Sequence, residues 1–219
     1  MYVCLSNVNI INTIIIMKKI IYLALLSLIT GLAVQAQEKT GEWNGCDRYD
    51  FTFKDRQAII VTPKKAAKGK PWIWRPAFFD AFPSVDKALL EKGFHVVYYD
   101  VTHLYGSPRA VSLGTEFYKN MTSHYGLSEK VTLEGFSRGG LFAFNWAAQN
   151  TDKVACIYVD APVCDVFSWP GRKNATLWND LLKEWNLTDA EMEHFKGNPV
   201  DNLAPIAAAG IPIISVCGD

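Results

Sequence analysis

Residues 133–144 read LEGFSRGGLFAF, and the five from Gly135 to Gly139 are Gly-Phe-Ser-Arg-Gly. A serine held between glycines where a strand turns sharply into a helix can act as a nucleophile, because the turn presents its hydroxyl instead of burying it. The residue types suit that geometry. Gly135 and Gly139 lack side chains, so neighbouring backbone can approach a strained Ser137 closely, and Gly140 leaves the next turn unobstructed. The N–H of Arg138, at the positive end of the following helix, is then placed to hold an oxyanion. The competing reading is a glycine-rich turn with a capping serine.

The elements on either side decide how seriously the motif is taken. VTLEGF (131–136) reads as a strand, and Arg138 to Gln149 has helical spacing. Along the rest of the chain RYDFTF (48–53) and AIIVT (58–62) predict paired edge strands. PWIWR (71–75), FHVVYYD (94–100), VACIYVDA (154–161) and IPIISVC (211–217) are short runs rich in β-branched and aromatic residues. Most are too continuously apolar to have one wet face, which predicts strands buried on both sides. Helical spacing recurs over 85–92, 111–125 and 176–185. Strands alternating with helices imply parallel crossovers, hence an α/β fold built on a doubly wound, mostly parallel sheet. There is no internal repeat or low-complexity linker, so residues 37–219 are read as one domain.

Three stretches, EGFSRGGLFAFNWAA, ACIYVDAPVCDVFSWPG and NPVDNLAPIAAAGIPIISVCGD, resemble the α/β-hydrolase family. They are similar in particular to a bacterial group of secreted esterases and to the hydrolase domain of prolyl-oligopeptidase-type peptidases, and the resemblance spans essentially all of residues 46–219. It implies a serine hydrolase that works through an acyl-enzyme on Ser137 with no metal and no cofactor. A substrate is not implied.

In that family a serine is activated by a base oriented by an acid, in the chain order Ser, Asp/Glu, His. The resemblance places the acid at about position 221, and Asp219 is the candidate in the same loop within the chain. The base should follow a further strand, where no histidine remains. The resemblance therefore implies a C-terminally truncated chain lacking the last strand and helix, with turnover near background and an exposed apolar sheet edge. Of the four histidines, His95 opens a strand and reads as a core residue. His103, in DVTHLYGSP, either lines the substrate pocket or caps local structure. His124 ends a helix, where a cation favours the macrodipole, and His194 sits on a polar helical segment.

The second oxyanion donor should come from the loop 74–79. Pro76 has no N–H, which leaves the backbone of Ala77 or Arg75. The Arg75 side chain could hold a substrate carboxylate through two parallel hydrogen bonds, or tie down neighbouring segments, with Asp100 available. The Arg138 side chain is read as a brace for nearby loops. Residues 161–202 exceed what a crossover needs and predict a cap over the site. Trp169, in FSWPG, is its candidate substrate-facing aromatic; the alternative is that Trp169, Trp178 and Trp185 pack the cap onto the sheet.

Composition narrows the partners. Of 219 residues 49% are hydrophobic, enough for a sizeable core, and 22 basic residues balance 22 acidic ones, which argues against nucleic acid or an anionic membrane as the main partner. Met17-Lys18-Lys19, the apolar run 20–34 and Val34-Gln35-Ala36 have the three parts of a secretory signal, with the true start at Met17. A membrane anchor over 10–34 is the rival, interrupted by Lys18 and Lys19. Removal of residues 1–36 takes two lysines and no acids, leaving a net charge of −2 and no stable membrane insertion. The expected location is periplasmic or secreted. Cys46, Cys156, Cys164 and Cys217 have no metal-ligand spacing, and one disulfide is open to them; Cys156 and Cys217 lie in runs read as buried strands. Three functions follow: an exported hydrolase of carboxylic esters, with carbohydrate esters suggested by the tryptophans; a prolyl-oligopeptidase-type peptidase; or a non-catalytic binding module on the same fold.

Overall fold

The computed structural model describes residues 17–18 and 38–218, and the fold lies in the unit that begins at Lys39. Asp219, and all of the expected signal except Met17 and Lys18, lie outside the described residues. Eight strands form one sheet: β1 Gly41–Trp43, β2 Cys46–Phe53, β3 Arg56–Thr62, β4 Trp72–Arg75, β5 His95–Tyr99, β6 Val131–Phe136, β7 Val154–Asp160 and β8 Ile213–Val216. Their spatial order is β1-β2-β3-β5-β4-β6-β7-β8. The first four in that order pair antiparallel, and β5, β4, β6, β7 and β8 run parallel. The helices are α1 Ser84–Glu91, α2 Pro108–Ser123, α3 Gly139–Gln149, α4 Ala175–Trp185 and α5 Ala204–Ala208. This is the expected doubly wound α/β sheet. Strand β1 was not anticipated, since three residues are too few to show a period.

The two-residue alternation of strands sorts side chains onto the two faces of the sheet. Trp72, Trp74, Val97, Tyr99 and Leu133 join Phe117, Phe142 and Trp146, from α2 and α3, in the larger core. Ile59, Val61, Ile73, Val96 and Tyr98 point the other way and pack with Leu90 of α1. Arg75 follows Trp74, and Glu134 follows Leu133, so both polar residues fall on the α1 face. That placement governs what Arg75 does.

Helix ends follow local chemistry. Ser107 Oγ accepts from Ala110 N–H at 3.2 Å and Pro108 occupies the first turn of α2. Asn174 caps α4 through Leu177 N–H, and Asn186 ends it in the left-handed region at φ 54°.

The apolar strand IPIISVC departs from expectation. Ile213 is 44% exposed and Ile214 61% exposed, and Cys217 is exposed as well. The reason is position: β8 has β7 on one side only, and a continuously apolar run is buried on both faces only where neighbours cover it. The four described cysteines are free thiols. Among the described residues no helix is long and apolar enough to cross a membrane.

Candidate active site

Strand β6 ends at Phe136 and α3 begins at Gly139, leaving Ser137 and Arg138 to make the whole turn. Ser137 has φ 51°, a left-handed conformation that costs a non-glycine residue about 1–2 kcal/mol. Three hydrogen bonds hold it there. Its N–H donates to Asp160 O at 2.9 Å, and its carbonyl accepts from Gly140 N–H at 3.0 Å and Val163 N–H at 2.9 Å.

The close approaches differ from the motif's face value. A Cβ on Gly135 would lie 2.8 Å from Val159 Cγ1 and 3.0 Å from Gly140 Cα, and one on Gly140 would lie 2.6 Å from Pro162 Cβ. A Cβ on Gly139 would meet Ala77 Cβ and Pro76 Cγ at 3.4 Å, ordinary van der Waals contact. The glycines the turn requires are therefore Gly135 and Gly140, not Gly135 and Gly139, because the chain leaving β7 passes over the start of α3.

The same contact places Ala77 beside the turn. Ala77 is buried, and among the described residues neither its N–H nor that of Arg138 donates to a protein acceptor. Two free donors beside the serine are what an oxyanion needs.

The Arg138 side chain lies between two rings, its guanidinium carbon 5.2 Å from the Phe78 centroid and 4.9 Å from that of Trp169. One nitrogen, Nη1, is buried without a hydrogen-bond partner. Trp169 is half-buried and also stacks on Tyr105 at 6.1 Å. Phe136 carries the rings of Phe78 at 5.6 Å and Phe82 at 5.2 Å, so aromatic side chains line both flanks of the turn. Residues 161–202 build a small core of their own, in which Val163, Val166, Trp178, Leu181, Met192 and Phe195 pack on Leu141 and Tyr105. Trp178 donates to Asp189 at 2.7 Å and Trp185 to Tyr105 O at 3.1 Å, so these two tie residues 161–202 together and to the loop at Tyr105 while Trp169 faces Arg138.

Arg75 requires correction as a substrate-binding residue. It is 1% exposed, and its guanidinium is taken up by Asp86 at 2.8 Å, Glu134 at 2.9 Å and the Ala81 carbonyl at 2.6 Å. It points into the α1 face of the sheet, where a substrate carboxylate has no access. Asp100, the partner suggested by sequence, instead accepts from Thr102 N–H at 3.0 Å. Asp86 and Glu134 were missed, although a lone glutamate inside the apolar run VTLEGF was a usable signal that an ion-pair partner must lie opposite it.

The described histidines stay apart from Ser137. His95 is buried at the amino end of β5, against Pro71 O at 3.4 Å, and burial pushes its pKa below the usual imidazole range. His103 is exposed and follows β5 at the carboxyl end of the sheet, the edge that also carries the turn, in a 3-10 turn over Thr102–Leu104. His124 and His194 are exposed. Among the described residues none is hydrogen-bonded to Ser137. No group of acids, cysteines and histidines among them is arranged to hold a metal.

A family model described as the alpha/beta hydrolase fold matches residues 75–201. The chain belongs to the α/β-hydrolase family. Among solved structures, this hydrolase fold is similar to S-formylglutathione hydrolase (FrmB) of Staphylococcus aureus, with a TM-score of 0.57 at 14% identity over 78% of each chain. It is likewise similar to FphF, a fluorophosphonate-binding serine hydrolase of Staphylococcus aureus, with a TM-score of 0.56 at 18% identity over 78% of each chain. No curated protein matches the sequence. At these identities the likeness is one of fold, and the chemistry has to be argued from the turn itself.

Proposed function

We propose that the protein is an exported serine hydrolase of carboxylic esters, with Ser137 as nucleophile. The observation that carries this reading is the turn at φ 51° with two free N–H groups beside it, from Arg138 and Ala77. A capping serine has no use for strained backbone or for unpaired donors beside it.

In this reading Ser137 Oγ attacks the ester carbonyl carbon and passes its proton to a base. The carbonyl oxygen gains charge as the C=O double bond opens, and the two N–H groups hold it. Collapse re-forms the double bond, expels the alcohol with a proton and leaves an acyl-serine, which water then cleaves to the acid and free Ser137. Trp169 and Arg138 form the wall nearest the acyl group. That wall, with Phe78, Phe82 and Phe136 opposite, supports an ester carried on a carbohydrate, whose apolar ring faces stack on aromatic side chains. No cofactor enters the scheme. The signal-like pattern over residues 17–36 supports a periplasmic or secreted location, tested by whether the exported protein starts at Gln37.

The test is hydrolysis of p-nitrophenyl acetate by wild type and by Ser137→Ala, with folding checked by circular dichroism. Loss of turnover in the variant is expected; equal turnover in both would refute the reading. One observation favours a second reading, a binding module on the hydrolase fold: no described histidine reaches Ser137. That reading predicts ester or sugar binding by calorimetry with no turnover and no covalent fluorophosphonate adduct.

A further inference from the structure

Arg75, Asp86 and Glu134 make a buried group of one cation and two acids, 1%, 1% and 2% exposed. Arg75 is the last residue of β4, Asp86 lies in the first turn of α1, and Glu134 lies in β6 three residues before Ser137. The guanidinium joins all three elements. Nη1 donates to Asp86 Oδ2 and Nη2 to Ala81 O, while Glu134 Oε1 lies 2.9 Å from Nη2 as an ion pair. Asp86 Oδ1 and Glu134 Oε2 are each buried with no donor, yet the two carboxyls are within hydrogen-bonding reach of one another. Two ionised carboxylates so placed would leave a net negative charge in a dry site. A single proton between the two carboxyls balances the charge.

We propose that Glu134 and Asp86 share one proton across Arg75, and that this cluster is the positioning device that fixes the Ala77 loop against the Ser137 strand. The loop needs one: Phe78, Asp80 and Phe82 all have positive φ, and the Arg75 bond to Ala81 O is the tie at its centre. Asp86 holds the charge and Glu134 the proton, because Asp86 sits at the positive end of a helix and Glu134 sits in a strand. Burial, reinforced by Asp86, pushes the Glu134 carboxyl up to about 9. The other groups facing it act in both directions: Arg75 from β4 opposes the shift, while Asp160 from β7 adds to it. Tyr158 of β7 is the register partner of Glu134, and Tyr98 of β5 faces Arg75; both are phenols whose own ionisation burial delays. Above the Glu134 titration the cluster carries two anions on one guanidinium, and the loop loosens.

The proton-sharing half stands independently of any activity; the positioning half rests on the reading of Ser137 and Ala77 as the site. Infrared difference spectroscopy on the whole protein at pH 7 should show one protonated carboxylic acid band. That band should vanish in Glu134→Gln, in Asp86→Asn and in wild type above about pH 10, one unit past the titration. Asp86→Asn leaves one acid on one guanidinium, so it remains informative if Glu134→Gln fails to fold. Hydrogen exchange over residues 76–83, normalised to the intrinsic rate at each pH, should rise at least severalfold in wild type between pH 7 and pH 10 and stay level in Glu134→Gln. Absence of a band removed by either variant overturns proton sharing. A band with pH-independent exchange over 76–83 overturns the positioning role. Neither result depends on ester turnover, so failure of the hydrolase reading would be seen separately, as unlabelled Ser137 with the band intact.

Discussion

The Arg138 guanidinium carbon stands 4.9 Å over the ring of Trp169, which couples the residue after the candidate nucleophile directly to the 161–202 segment. Trp169 also stacks on Tyr105, so one side chain joins the 161–202 segment, the loop after β5 and the turn. Trp169→Ala should lower stability by about 1–2 kcal/mol through lost stacking and cation–π attraction, read by urea denaturation. Trp169→Phe should lose less than half of that. In an ester assay the alanine variant should raise KM more than it lowers kcat, because the wall moves and the oxyanion donors do not.

Gly139→Ala and Gly140→Ala distinguish the motif from the packing. Alanine at 140 drives its Cβ to 2.6 Å from Pro162 Cβ, which backbone connectivity to β7 does not let relax freely. It should cost about 1–3 kcal/mol. Alanine at 139 meets only ordinary contacts and should cost less than about 1 kcal/mol. Thermal denaturation of the two variants side by side checks the order; equal losses would contradict the crowding at Gly140.

Ser137→Gly relieves the left-handed backbone while adding chain entropy to the unfolded state. The first effect is about 1–2 kcal/mol and the second about 0.5–1, so the variant should equal or exceed wild type in stability by up to about 1.5 kcal/mol. A clear loss in urea denaturation would mean that Ser137 is not strained. The same substitution should abolish any fluorophosphonate adduct.

His95 gives stability a dependence on acid. Its folded pKa lies below the ordinary 6.5 because burial disfavours the imidazolium. Between the two values the unfolded chain binds a proton that the folded one does not, so its contribution is present above pH 6.5 and is lost as pH falls through the folded value. Denaturation midpoints should drop from pH 7 to pH 5, and His95→Gln should flatten that part of the profile.

Much of the architecture was legible along the chain. Strand β6 and helix α3 were found within a residue because VTLEGF is apolar and β-branched at its start and Leu141 to Gln149 contain neither glycine nor proline. The turn between them followed from Gly-x-Ser-x-Gly. The β8 run was read correctly as strand; its apolarity pointed to burial and the resemblance to an exposed apolar edge, and the order of strands puts it at an edge.

At the site the division is sharper. Sequence alone determined that Ser137 would sit on a strand-to-helix turn and that Arg138 would follow it at a helix start, because those depend on residues adjacent in the chain. Only the tertiary structure decided that Gly140 is more crowded than Gly139, that Ala77 meets the turn, and that Arg75 faces Asp86 and Glu134 instead of Asp100. Each of those depends on which strands are neighbours and which face of the sheet a side chain takes. Neighbour order is set by crossovers tens of residues long, and the sheet then brings together, through space, groups whose spacing along the chain carries no common period.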